Sequence, residues 1–202
     1  MHRVVALFRL FALMVLFTGS ALAQDASPKA PVDALSQKLL DVMRRSNELG
    51  YEGRERELRP VVEASFDMPF MAGAALGPDW SKLTQEQKDR LAQAFTAYSV
   101  AQYASSFSGY TGEQFQVGDV VKRTSGDVVV KSKIVPRSGS PTELDYLERQ
   151  QGGQWKIIDV YLDGSVSQLA IRRSELAAVY KRGGVDGLVT ALNQKVQQIA
   201  KP

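Results

Sequence analysis

The reactive side chains in this sequence are carboxylates, hydroxyls and guanidiniums. Asp145, Asp159 and Asp163 gather around the segment 142–163, and paired carboxylates on neighbouring strands could pass a proton to and from a substrate. Two features weigh against that use. Asp163-Gly164 is turn chemistry, and Asp159 can serve a local donor. Serines occur at Ser105-Ser106 and again at Ser165 and Ser167, but none sits in a nucleophile elbow and no base accompanies them. Arg172-Arg173 and Lys181-Arg182 form a basic zone. It suits an anionic headgroup or an acidic partner surface, or, for the later pair, simply the end of a helix.

The amino terminus removes further options. Arg3 and Arg9 accompany an apolar run over residues 10–17, and Ala21-Leu22-Ala23 supplies small residues for a signal peptidase. Residues 1–23 therefore read as a secretory signal peptide cleaved before Gln24. The only histidine, His2, leaves with it, and the chain has no cysteine. Residues 24–202 thus contain neither imidazole nor thiol. Cysteine nucleophiles, Ser-His-Asp triads, disulfides and nearly all zinc or haem sites are excluded. No cofactor and no metal site is expected, and catalysis is disfavoured. With Arg3 and Arg9 gone, 23 basic residues face 22 acidic ones. Such a balance calls for no nucleic-acid partner. Residues 24–31 read as a flexible leader, and residues 32–202 as a single domain.

Periodicity shows which helices and strands carry these groups. Leu35, Leu39, Val42 and Met43 predict a helix over 32–49, and a second helical stretch follows over 54–64, with Pro60 marking a new start or a kink. Thr84 with Gln87 forms a capping box at the head of a third. From residue 115 the period becomes two. Strands are predicted over 115–122, 127–135, 142–149 and 154–162, separated by Gly-rich and Pro-rich turns. Helices, a four-stranded antiparallel sheet, then helices: the chain is α+β. Ser165 can cap the next helix, Gly183-Gly184 suits its end, and Leu188, Ala191, Leu192 and Val196 stripe a last one.

Two elements carry more apolar surface than one packing partner needs. On the strand 154–162, strict alternation puts Trp155, Ile157 and Tyr161 on one face and Ile158, Val160 and Leu162 on the other. The Thr84 helix carries Leu91, Phe95 and Tyr98 on one stripe and Val100, Tyr103 and Phe107 on a second. Protein or ligand must cover the surplus. An apolar cavity between the inward sheet face and the helices is therefore expected. Its candidate walls are Val128, Val130, Ile134, Leu144, Tyr146, Ile158, Val160 and Leu162 from the strands, with Val166 just beyond. The helices offer Phe70, Met71, Trp80, Phe95, Tyr98, Tyr103 and Phe107, and Arg172 and Arg173 are the candidates for headgroup or partner docking.

Two blocks carry a resemblance. Leu58-Arg59-Pro60-Val61-Val62, Phe66-Asp67-Met68 and Leu76-Gly77-Pro78-Asp79-Trp80, followed by Gln87 and Phe95, resemble the first block of the MlaC/toluene-tolerance family. Trp155-Lys156-Ile157-Ile158-Asp159-Val160, Val166-Ser167 and Gly183-Gly184-Val185-Asp186-Gly187-Leu188 resemble its second. The resemblance implies a periplasmic carrier of phospholipid between inner and outer membranes, without catalysis. Its partners would be an inner-membrane transporter and an outer-membrane lipoprotein complex, and its helices and curved sheet would enclose a cavity with lipid as cargo. The family's usual Asn-Tyr-Arg is absent after Leu169, and one residue is added. That variation resembles the hopanoid-associated HpnM branch and makes a hopanoid an alternative cargo. A lipid-modifying enzyme using carboxylates, or an adaptor that binds no lipid, are the rival readings.

Overall fold

The structure, a computed structural model, describes residues 27–201. The expected signal peptide, residues 1–23, and the start of the expected leader lie outside the described residues. Helix α1 (Ala30–Arg44) begins two residues before the sequence pattern suggests, because Pro31 in its first turn is pre-set for helix. It buries Val32, Leu35, Leu39, Val42 and Met43. The helix then breaks at Arg45, and α2 (Ser46–Ser65) is itself broken at Gly50, whose φ of 59° suits glycine best. Pro60 lies inside α2 without breaking it. Both Pro60 and Arg56, whose carbonyl loses its partner there, are exposed to water.

Phe66 pairs with Ile157 in a single parallel bridge, and the Asp67 amide donates to the Ile157 carbonyl at 2.9 Å. Asp67 then caps α3 (Met68–Leu76) by accepting from the Phe70 amide. A short 3-10 turn (Gly77–Lys82) folds Trp80 back over Gly73, where a Cβ would stand 3.0 Å from the indole. Helix α4 (Gln85–Ser106) opens with the full capping box of Thr84 and Gln87.

The sheet contains β1 (Gln114–Lys122), β2 (Val128–Val135), β3 (Thr142–Gln151), β4 (Gln154–Leu162) and β5 (Val166–Ser167), in that order and all antiparallel. Five strands replace the expected four. The fifth is a two-residue return that pairs with the end of β4, too short to leave an alternating pattern.

Two irregularities bend the sheet. One lies in β1 between Val117 and Val120. The other lies in β4, where Glu148 pairs with Ile157 and Leu147 with Asp159, leaving Ile158 without a partner. This extra residue corrects the facing read from alternation. Ile157, not Ile158, joins Val160 and Leu162 on the inward face, opposite Glu148, Tyr146 and Leu144. A period of two cannot survive one inserted residue.

Helix α5 (Gln168–Ala200) follows β5 directly. Its cap is Ser167 rather than Ser165: the Ser167 Oγ accepts from the Ala170 amide at 2.9 Å. The helix breaks at Gly184 (φ 59°) and resumes at once, burying Leu188 and Leu192. Helix α4 packs on α2, α3 and α5, while α1 and α3 reach β4. Among the described residues no helix is long and apolar enough to cross a membrane.

Candidate functional site

Between α4 and the lower half of the inward sheet face lies a cavity of about 470 Å³, within the size range of small-molecule sites. The sheet contributes Ile134, Thr142, Leu144, Val160 and Leu162. The α2–α3 corner contributes Phe66, Met68 and Met71, held there by the backbone bridge from Phe66 to Ile157. Helix α4 and its C-cap residue Phe107 supply Phe95, Tyr98, Ser99, Gln102, Tyr103, Ser106 and Phe107. Steps of three and four residues align them along one side of the helix. The first turns of α5 add Gln168, Leu169 and Arg172.

An aromatic run adjoins the cavity. Phe66, Tyr103, Phe107 and Phe115 follow one another at centroid separations of 5.8, 5.8 and 6.0 Å, a spacing at which ring pairs attract. Burial raises the Tyr103 and Tyr146 hydroxyls well above the usual phenolic pKa, so both stay neutral.

Around Arg172 the wall is polar. Arg172 Nη1 donates to Tyr98 Oη at 2.8 Å and to Glu175 Oε2 at 3.0 Å. The guanidinium carbon stands 4.9 Å from the Tyr98 ring centroid. Asp159 holds this part in place. Its Oδ1 accepts from the Leu169 amide at 3.1 Å and its Oδ2 from Ser167 Oγ at 2.6 Å. The other carboxylates singled out in the sequence are also occupied or remote. Asp145 is buried against Lys131 Nζ, Asp163 lies in the turn after β4 with φ 49°, and neither lines the cavity.

Ten of the candidate residues meet at this cavity: Met71, Phe95, Tyr98, Tyr103, Phe107, Ile134, Leu144, Val160, Leu162 and Arg172. Eight do not line it. Val128, Val130 and Tyr146 are buried in the upper part of the core, and Ile158 is turned away by the bulge. Phe70 sits under the Arg149 guanidinium at 4.8 Å, and Trp80 packs on Gly73. Val166 is exposed, and Arg173 lies against Gly77. The sequence reading missed Ser99, Gln102, Ser106, Thr142, Gln168 and Leu169, and named Phe66 and Met68 only as part of a longer stretch. The first three are polar, yet their helical spacing from Phe95 would have found them.

A family model described as MlaC protein matches residues 33–194. No curated protein matches the chain. Among solved structures, a phospholipid-binding protein from Ralstonia solanacearum, in complex with a phospholipid, superposes with a TM-score of 0.74. The two share 24% sequence identity over 87% of this chain and 100% of that chain. At that identity the likeness is one of fold, an α+β architecture with an open antiparallel sheet. The family match spans most of the sequence, from the first turn of α1 to the last turns of α5, and the protein belongs to the MlaC family.

Proposed function

We propose that the protein binds a lipid in the cavity between α4 and the sheet and carries it between membranes, without catalysing a reaction. The observation that carries this reading is the cavity itself: its floor and sides are Met, Phe, Leu, Ile and Val side chains, and no carboxylate lines it. Transfer of hydrocarbon from water gains about 0.8 kcal/mol per methylene, so apolar walls suffice for affinity. The phospholipid held by the Ralstonia solanacearum protein, which shares this fold, supports phospholipid as the cargo class; a hopanoid is the alternative the altered segment after Leu169 suggests.

The site residues in this reading are the apolar lining of α3, α4, β3 and β4, with Arg172 as the headgroup cation and Arg173, outside the cavity wall, as a docking cation. Family membership supports a periplasmic carrier that exchanges cargo with an inner-membrane transporter and an outer-membrane lipoprotein complex, after loss of residues 1–23. Native mass spectrometry of gently purified protein tests the proposal. One lipid per chain, removed by delipidation and restored on adding lipid back, is the expected result. A lipid-free protein that takes up none overturns it. The mass of the extracted lipid separates a diacyl phospholipid from a hopanoid.

A further inference from the structure

Tyr98 receives two hydrogen bonds and returns none among the described residues. Arg172 Nη1 donates to its oxygen at 2.8 Å and Gln102 Nε2 at 3.1 Å. A phenolic hydroxyl also carries one hydrogen, and among the described residues no acceptor takes it. Turning the Gln102 amide over would let it accept that hydrogen, but would then free both of its own N–H groups. Either way the pair keeps a donor to spare, and both residues line the cavity.

The charge around Tyr98 is lopsided in the same sense. Arg172 Cζ lies 4.9 Å and Lys195 Nζ 5.6 Å from its ring centroid. One carboxylate answers these two cations: Glu175 Oε2 stands 3.0 Å from Arg172 Nη1 and 3.8 Å from Lys195 Nζ. One positive charge is left over. The chemistry that fits surplus donors and a single excess cation is a group of acceptor oxygens with one negative charge.

We infer that Tyr98, Gln102 and Arg172 form a subsite that reads a monoanionic phosphoester at the polar end of the cargo, and that Glu175 occupies Arg172 until this group arrives. The inference rests on the carrier reading and deepens it. The apolar lining admits any hydrocarbon; this corner selects the headgroup. Arg173, which lies against Gly77 rather than in the cavity wall, takes no part.

The test offers the delipidated protein a phosphatidylglycerol and a diacylglycerol with identical acyl chains, from mixed micelles of a neutral detergent. Native mass spectrometry counts the bound lipids. The wild type should favour the phosphatidylglycerol by about tenfold or more, the scale of one charge-assisted hydrogen bond. Tyr98→Phe and Arg172→Gln should each bring the ratio of the two lipids towards one. Glu175→Gln, which removes the competing carboxylate, should raise it. Equal uptake by the wild type, or a ratio untouched by both Tyr98→Phe and Arg172→Gln, overturns the subsite while the carrier reading stands. Displacement of phosphatidylglycerol by millimolar inorganic phosphate overturns its assignment to cargo. Uptake of neither lipid overturns the carrier reading and the subsite with it.

Discussion

The Asp159 carboxylate accepts a hydrogen bond from the Leu169 amide at 3.1 Å, joining β4 to the first turn of α5 across the two-residue strand β5. The same side chain takes the Ser167 hydroxyl, which in turn caps the Ala170 amide. One buried carboxylate thus sets the angle at which α5 leaves the sheet and brings Leu169 and Arg172 to the cavity. Replacing it with alanine leaves the Leu169 amide and the Ser167 hydroxyl short of an acceptor. Asp159→Ala should lower stability by about 1–3 kcal/mol, read as an earlier urea midpoint, with reduced lipid content. A variant of unchanged stability that lost a turnover activity would instead mark Asp159 as catalytic.

Glu148 gives a pH dependence. It is fully buried on the inward face, in register with Val128 and Ile157, and among the described residues neither of its carboxylate oxygens has a hydrogen-bond partner. Burial pushes its pKa up to about 8 from an ordinary 4.5. Between those values the folded protein holds a proton that the unfolded chain has released. Stability should therefore fall as the pH rises from about 4.5 to about 8. Urea titrations across this range should show the decline, and Glu148→Gln should flatten it. An unaltered slope in the variant would assign the effect elsewhere.

Filling the cavity should separate binding from folding. Val160 stands on the inward face of β4 and lines the cavity. Val160→Trp should reduce bound lipid while unfolding remains cooperative, with a loss of about 1–3 kcal/mol from overpacking. Ile158→Trp, on a residue displaced from that face by the bulge, should not discriminate between lipid-bound and lipid-free protein. Equal lipid loss in both variants, accompanied by unfolding, would make Val160 plain core.

Thr84 allows a test remote from the cavity. Its hydroxyl accepts from the Gln87 amide while the Gln87 side chain accepts from the Thr84 amide. Thr84→Ala should destabilise by about 1 kcal/mol through loss of the cap. Lipid content per folded molecule should not change, and a fall there would tie the start of α4 to cargo binding.

Much of this architecture can be read from the residues. The spacing of Leu35, Leu39, Val42 and Met43, the Thr84–Gln87 box and the period-two runs from residue 115 are local signals, and local hydrogen bonding honours them. What the pattern misplaces are features without a periodic signature. Gly50 breaks a helix that Pro60, the stronger breaker by type, leaves whole. Ser167, not Ser165, becomes the cap because Asp159 holds its hydroxyl where the Ala170 amide can reach it.

Read along the chain, the residues establish that positions 24–202 contain no imidazole and no thiol, that the fold is α+β, and that β4 and α4 carry apolar surface beyond one partner's need. These follow from composition and from periods of two and 3.6 residues. Where that surplus goes depends on packing between elements. The bulge at Ile158 turns Ile157 inward, so Val128, Val130 and Tyr146 are consumed in the core while Leu144, Val160 and Leu162 face the cavity. Only there does Arg172 meet Tyr98, which α4 already presents beside Gln102. Residues some seventy positions apart meet through packing, and no local pattern records a contact that two separate elements must make together.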